Sequence, residues 1–360
     1  RVTTMNSKRP PQYQLAFCIP TLNFGEFIGE TLASIVAQAD ERVQIVIVDG
    51  GSTDNTREIV AEWTQRFPHV VWHQRTRRMG IDRDILETVA LADAEWCWLF
   101  SSDDVLASGA IARVRQELAT GCNALLVNHS LCNRALQPVR LRDPLSLERP
   151  ESFDFGDPLA FDRYCRLARG DSTGFFSFIS AILVRREDWL ASGPQEPFLG
   201  SCWIIAAQLW AMARHRLVLR YIPEPLLAVR LENDSFLSQG LVRRIGLSLE
   251  GFRQVAGHYL GTASPAYRQV ERVLHAEFPF WHLMRIRREL PAANDRQGFD
   301  RLMRLHYPAS SLRSRLARGL LTAPTWAQHG TLWLAERFRV ARHWVRRLVA
   351  HPRVTAPGAS

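Results

Sequence analysis

The sequence predicts an α/β fold built on a parallel sheet, and three observations carry that reading. Short apolar runs alternate with stretches of helical spacing between residues 15 and 104, the pattern of successive βαβ units. Each run ends in a loop of small, polar or acidic residues. The run at residues 96–100 is almost wholly apolar and passes directly into Ser101-Ser102-Asp103-Asp104, the form of a buried strand whose carboxyl end opens into a site.

Taken in order, residues 15–19 form an apolar strand ending in Pro20-Thr21-Leu22-Asn23, followed by a helix with Ile28, Leu32, Ile35 and Val36 on one face. Residues 43–48 are a second buried strand, running into Asp49-Gly50-Gly51-Ser52-Thr53-Asp54, where the glycines allow tight backbone geometry and the small polar residues cap a helix. Ile59, Val60, Trp63 and Phe67 give that helix its apolar face, and residues 70–73 a third strand. Arg75, Arg77 and Arg78 lead to Gly80-Ile81-Asp82-Arg83-Asp84 and a helix with Ile85, Leu86 and Val89 inward. The central strand follows. Asp103 and Asp104 are adjacent carboxylates that repel each other, a cost that a divalent cation offsets; a solvated turn is the plainer reading of an isolated pair.

The chain has 360 residues, 46% hydrophobic and 22% charged, enough for one large α/β domain with an appended piece. No apolar run approaches the ~18 residues of a membrane span, and no secretory signal pattern precedes Leu15. The six cysteines are scattered without a CxxC pair, which predicts reduced core thiols in a cytoplasmic protein. The net charge of +9 is unevenly spread: residues 241–360 hold 20 arginines against 7 acids, a net +13, and residues 1–240 carry −4. The basic character belongs to the C-terminal third, whose partner differs from that of the strand-end loops.

Four blocks in order now support a resemblance: Ile19-Pro20-Thr21-Leu22-Asn23, Val48-Asp49-Gly50-Gly51-Ser52-Thr53-Asp54, the Gly80/Arg83 region, and Leu99-Phe100-Ser101-Ser102-Asp103-Asp104. Together they resemble the nucleotide-sugar-binding half of a family 2 glycosyltransferase with the Rossmann-like GT-A fold. Met79 to Arg83, followed by the aromatic run at 96–100, is similar to the abequosyltransferase-like branch that builds bacterial O-antigen. The resemblance implies a donor site formed by Pro20, Thr21, Asn23, Asp49, Gly51, Ser52, Gly80, Arg83, Ser102 and Asp103. Thr21 and Asp49 would lie beside nucleobase and ribose, and Arg83 at the nucleotide or its diphosphate. Asp103, with Asp104, would bind Mg²⁺ or Mn²⁺ against the leaving diphosphate. Ser101 stands where the family's metal motif usually has its first Asp, and Gly50 where a second Asp often follows the second strand.

In the second half, Ile111, Val114 and Leu118 predict a helix, residues 124–127 a strand, 138–157 a loop, and 180–184 another core strand. An inverting transferase needs a carboxylate to take the acceptor's proton. Related enzymes often use an Asp in a Glu-Asp pair, but the comparable stretch here, residues 197–203, has no acid. Of Asp171, Glu187, Asp188 and Glu196, Asp171 in its Gly-flanked loop is the preferred base; a retaining mechanism would need none, so the stereochemistry stays open.

The predicted organisation is a tail at 1–14, a GT-A domain at 15–240, a basic helical region at 241–353 and a disordered tail at 354–360. Helical patterns run over 241–260 and 265–290. In 332–349, Leu334, Phe338, Ala341, Val345 and Leu348 share a face flanked by Arg339, Arg342, His343 and Arg346, which suits an anionic membrane surface as well as packing on its own domain. The expectation is a cytoplasmic enzyme, peripheral on the inner face of the cell membrane, with a nucleoside-diphosphate sugar donor, a lipid-linked saccharide acceptor and no nucleic-acid partner. A nucleotidyltransferase also uses such a sheet, but its Gly-rich phosphate loop with Lys is missing; Lys8 is the only lysine. A non-enzymatic basic adaptor would leave the four strand-end blocks without a purpose.

Overall fold

The computed structural model describes residues 9–168, 171–231, 233, 240–290 and 293–323. Four strands alternate with three helices at the start: β1 (Tyr13–Thr21), α1 (Ile28–Val36), β2 (Val43–Asp49), α2 (Thr56–Arg66), β3 (Val70–Gln74), α3 (Ile81–Leu91) and β4 (Ala94–Leu99). β1 pairs in parallel with β2 on one side and β4 on the other, and β2 pairs in parallel with β3. The registers align Thr21 with Asp49 and Asp49 with Gln74, so the predicted polar loops leave one edge together.

Alternation along β1 explains how this sheet is covered. Leu15, Phe17 and Ile19 join Ile28, Leu32 and Ile35 of α1 and Val60 of α2 in one buried core. Cys18, on the opposite face, meets Thr88 of α3. Phe17 stacks on Trp98 at 5.2 Å between ring centroids and meets Phe100 edge-on at 5.5 Å. Each such side chain contributes on the order of 2 kcal/mol by leaving water, so β4 is fixed by the aromatic run that marks it in the sequence.

After β4 the sheet becomes mixed. A two-residue strand β5 (Val105–Leu106) precedes a short helix α4 (Ala110–Arg115), then β6 (Ala124–Cys132), β7 (Pro138–Leu141), β8 (Glu151–Asp154) and α5 (Pro158–Leu167). Next come β9 (Ile182–Arg185), α6 (Arg186–Ala191), α7 (Ile204–Ala213) and the long β10 (Val218–Arg230). β9 runs antiparallel between β4 and β6, and β10 lies parallel to β6 with bulges around Pro225. Consequently β1, β2, β3, β4, β6 and β10 all point their carboxyl ends the same way.

The loop expected over 138–157 contains two strands. β7 is exposed along its whole length and pairs only at the sheet margin with β6, while β8 pairs with β10. Their backbone pairing, not an apolar pattern, makes them strands. The strand expected at 124–127 continues to Cys132, and the helix expected around Leu118 ends at Arg115.

Two compact units divide the chain between Glu277 and Phe278. The boundary expected at residue 240 therefore falls inside the first unit, which includes α8 (Leu241–Gly246), a π-helical turn (Leu247–Gly251), α9 (Phe252–Leu260) and α10 (Pro265–Glu277). The described part of the second unit holds α11 (Phe280–Glu289), α12 (Ala293–His306) and α13 (Leu312–Thr322). The amphipathic stretch at 332–349 and the tail at 354–360 lie outside the described residues. Among the described residues, no helix is long and apolar enough to cross a membrane.

Candidate active site

The first wall of the site is the β1–β2 edge. Gly50 N donates to Thr21 O at 2.8 Å, which ties the two strand ends together. Asp49 is fully buried; its Oδ1 accepts from Gly51 N at 3.0 Å and Ser52 N at 2.7 Å, and its Oδ2 pairs with Arg57 Nε at 3.2 Å. Ser52 Oγ in turn accepts from Asn23 N at 2.9 Å, and Asn23 Oδ1 accepts from Thr53 N at 2.7 Å. Gly51 holds φ at 99° and Asn23 at 59°, conformations that glycine and asparagine tolerate best. The structure thus brings Pro20, Thr21, Asn23, Asp49, Gly51 and Ser52 into one bonded corner. Within it the buried Thr21 hydroxyl has no hydrogen-bond partner among the described residues, which leaves it available to a ligand.

The second wall is the start of α3. Gly80 sits at φ 91° just before the helix. Arg83 is half-exposed and forms a long ion pair with the exposed Glu196, at 3.9 Å. Asp84 turns inward to pair with Arg75 at 2.6 Å, and Arg75 also pairs with Glu87. Burial raises the Asp84 pKa, and the repulsion of Glu87 and Asp49 adds to this while Arg75 opposes it. Arg75 N donates to Asp49 O at 2.9 Å, which joins the two walls.

The floor is the loop after β4. Asp103 is 9% exposed; its carboxylate accepts from the Ser101 hydroxyl and from Asn233 Nδ2, the latter at 2.8 Å. Burial raises its pKa, opposed by those two bonds. Asp104 and Ser102 are buried more deeply, each 1% exposed. Asp104 Oδ2 accepts from Ser180 Oγ at 2.5 Å, and Ser180 Oγ accepts from Ser101 N at 2.9 Å. Burial and then the repulsion of Asp103 push the Asp104 pKa well up. Its carbonyl accepts from Thr31 Oγ1 at 2.8 Å. Arg230, at the end of β10, donates to Asp103 O at 2.6 Å, pairs with Glu30 of α1 and lies 5.1 Å over the Phe27 ring.

These surroundings separate the adjacent carboxylates. Asp104 is tied into the fold by Ser180 and Thr31. Asp103 stands in a nest of hard oxygen donors, its own carboxylate, the Ser101 hydroxyl and the Asn233 amide, whose oxygen and nitrogen are exchangeable by rotation. No cluster of three His, Cys, Asp or Glu ligands occurs among the described residues. The donor set therefore fits a hard cation held by one carboxylate and completed by phosphate oxygens and water, the habit of Mg²⁺ in nucleotide enzymes. It does not fit a closed all-protein metal cage.

The acceptor-side candidates are dispersed. Asp171 is 4% exposed. Its Oδ1 accepts from Thr173 N at 2.9 Å, and its Oδ2 lies 3.0 Å from Arg142 Nε, at ion-pair distance without hydrogen-bond alignment. These are the bonds of a turn-holding residue. Nearby His129 has its pKa lowered to about 4 by burial, against the pull of Asp171. Glu187, exposed, and Asp188, half-buried, lie in the first turn of α6, and Glu196 faces Arg83. Sequence reading had given no role to Arg230, Asn233 or Ser180: each lies far along the chain from Asp103, and no motif announced them.

A parallel sheet whose strand ends gather buried aspartates and a threonine hydroxyl unpartnered among the described residues, continued by an antiparallel strand and a mixed second half, defines a GT-A glycosyltransferase. Residues 16–179 match the family model "Glycosyl transferase family 2". The chain is 30% identical over 273 residues to the abequosyltransferase RfbV of Salmonella typhimurium, covering 74% of this chain and 81% of that protein. It belongs to glycosyltransferase family 2. Among solved structures, Staphylococcus aureus TarS in complex with UDP-GlcNAc superposes with a TM-score of 0.60 at 13% identity, covering 88% of this chain and 87% of that one. The mannosyltransferase PcManGT from Pyrobaculum calidifontis, in complex with GDP-Man and Mn²⁺, gives 0.52 at 16% identity, covering 92% and 83%. At these identities both likenesses speak for the fold alone.

Proposed function

We propose that this glycosyltransferase moves a dideoxyhexose such as abequose from a CDP-linked donor to a lipid-linked saccharide, in the synthesis of bacterial O-antigen at the inner face of the cell membrane. The observation that carries the choice of sugar is the identity with the abequosyltransferase, which extends well beyond the strand-end motifs into the second half of the chain. The site's chemistry supports the donor class. Thr21, on the corner held by Asp49, would contact ribose or base, and Arg83 would pair with the diphosphate. Asp103 would hold Mg²⁺ or Mn²⁺, whose charge eases departure of the nucleoside diphosphate. Asp104 would act by fixing the loop beneath Asp103. Asp49 would act through the loop it organises, because its own oxygens are already engaged.

Thermal shift with CDP, UDP and GDP, each with and without Mn²⁺, tests the donor. A ligand at a hundred times its Kd stabilises by about 2.7 kcal/mol, so CDP with Mn²⁺ should raise Tm most. A larger shift with UDP or GDP would overturn the CDP assignment. A radiolabelled-sugar transfer assay to lipid-linked saccharide from O-antigen-producing cells tests the acceptor.

A further inference from the structure

The stretch 197–203, which carries no acid of its own, receives one from elsewhere. Asp82, in the first turn of α3, is 2% exposed. Its Oδ2 accepts from Gly200 N at 2.7 Å and Cys202 N at 3.0 Å, and the amides of Ser201 and Ile204 also favour its charged form, although burial outweighs them and raises its pKa. The carboxylate thus lies against the first turns of both α3 and α7. The segment it grips departs from ordinary backbone: Gly200 has φ 87° and Cys202, a residue with a Cβ, has φ 65°, a conformation that persists only where its surroundings impose it.

The same segment is held from its other side. Trp203 Nε1 donates to Leu247 O at 2.6 Å, and its ring stacks on Phe252 at 4.4 Å and 8°. Leu247 begins the π-helical turn and Gly251 ends it; a Cβ at Gly251 would come within 2.5 Å of Trp203 Cδ1. One end of the loop is therefore pinned to α9, and the other depends on Asp82.

We propose that Asp82 is a positioning residue, whose carboxylate fixes the loop at 200–203 against the start of α3 so that the wall carrying Gly80 and Arg83 and the second half of the site keep one relative geometry. The assignment rests on the donor reading above only for its consequence in catalysis; the anchor itself is independent of it. Asp82 does not react. It sets where the loop stands when the donor is bound beside it.

Cys202 reports on the anchor. It is half-buried while the other five cysteines are buried, and burial followed by the Asp82 charge pushes its thiol up to about 11. Alkylation by iodoacetamide, followed by peptide mass spectrometry on the full chain, reads both loop opening and thiolate fraction. Asp82→Ala should speed Cys202 alkylation by about ten-fold. Asp82→Asn, which keeps an oxygen for the two amides, should stay within about three-fold of the parent. In the parent, CDP with Mn²⁺ should slow Cys202 alkylation, and Asp82→Ala should abolish that protection while CDP affinity measured by calorimetry stays within about two-fold. If Asp82→Ala fails to fold, Asp82→Ser, too short to reach both amides, takes its place with the same expectation. Parent-like alkylation in the Ala or Ser variant, or an Asn variant as fast as Ala, would overturn the anchor. CDP protection retained in the Ala or Ser variant would overturn its coupling to the donor. If CDP does not bind the parent, the donor assignment fails, and the nucleotide-free comparison still decides the anchor.

Discussion

Replacing Arg230 tests the way the end of β10 holds the Asp103 loop, the proposed metal site. Arg230 is 7% exposed, and its guanidinium makes a 2.6 Å hydrogen bond to Asp103 O, an ion pair with Glu30 and a cation–π contact with Phe27. Arg230→Ala leaves the Asp103 carbonyl without that donor, a cost of about 1–3 kcal/mol. The Phe27 contact adds about 0.5–2 kcal/mol. The Glu30 partner is 60% exposed, so solvent screening reduces that pair to at most about 1 kcal/mol. These terms overlap, and a net loss of about 2–4 kcal/mol is expected, within the 5–15 kcal/mol of a typical domain. The variant should therefore fold with a lower Tm. Its looser Asp103 loop should need about 10–100 times more Mn²⁺ for half-maximal transfer. Arg230→Lys keeps the charge but cannot serve Asp103 and Glu30 with one planar fork, and should fall between. Chemical denaturation followed by a Mn²⁺ titration of activity measures both quantities. A full-strength Mn²⁺ response in a variant that has lost the expected stability would refute the link between Arg230 and the proposed metal site.

Asp103→Ala should abolish transfer with the fold intact, and excess EDTA should do the same to the parent; full activity in either case would sink the metal-dependent reading. Asp104→Asn should be tolerated: its carboxyl pKa is raised by burial and by Asp103, so the parent loses stability as pH rises from about 4 through that raised value. Urea melts in EDTA should therefore show the Asn variant gaining on the parent towards neutral pH, and an unchanged difference across pH would refute this. Asp49→Ala and Arg83→Ala should both weaken nucleotide binding by calorimetry, the Arg83 effect being similar for CDP and UDP because a phosphate contact does not read the base; a base-dependent Arg83 effect would displace it from the diphosphate. For Asp171→Asn a base role predicts a fall of at least about a hundred-fold in kcat. The cap and ion pair seen here predict instead a lower Tm with kcat within a few-fold, and that is the outcome expected.

The first half of the fold was legible because local chemistry and tertiary demand coincide there. β1, β2 and β4 are buried on both faces and read as near-continuous apolar runs, and their ends need residues that tolerate turns. The second half was harder to read for an identifiable reason. β10 carries Pro223 and Pro225 on either side of Glu224, which argues against a central strand on sequence grounds. The bulges on either side of Pro225 let the strand resume its pairing with β6. α7 is buried nearly all round, so it shows no amphipathic face by which a sequence scan finds a helix. Site residues divided in the same way. Those set by strand ends were visible; Ser180 reaches Asp104, and Arg230 and Asn233 reach Asp103, only through the tertiary arrangement.

Each of the two departures from the family pattern has a physical account. At position 50 a Cβ would stand 2.8 Å from Asp84 Oδ2, so any side chain there would displace a carboxylate already paired with Arg75. Asp84 comes from α3, and with Arg75 it places charge beside Asp49 where the family's second aspartate would otherwise project from the loop. Ser101, in place of the motif's first acid, donates to Asp103 rather than repelling it. With Asp104 buried directly behind, an acid at 101 would have put three carboxylates around one desolvated point, and each like charge makes the next harder to ionise. The serine lowers that electrostatic load and leaves Asp103 the ionisable group best placed for a cation. The two departures thus differ in kind: at position 50 the neighbouring Asp84 occupies the space a side chain would need, and at position 101 a hydroxyl that donates to Asp103 stands where an acid would repel it.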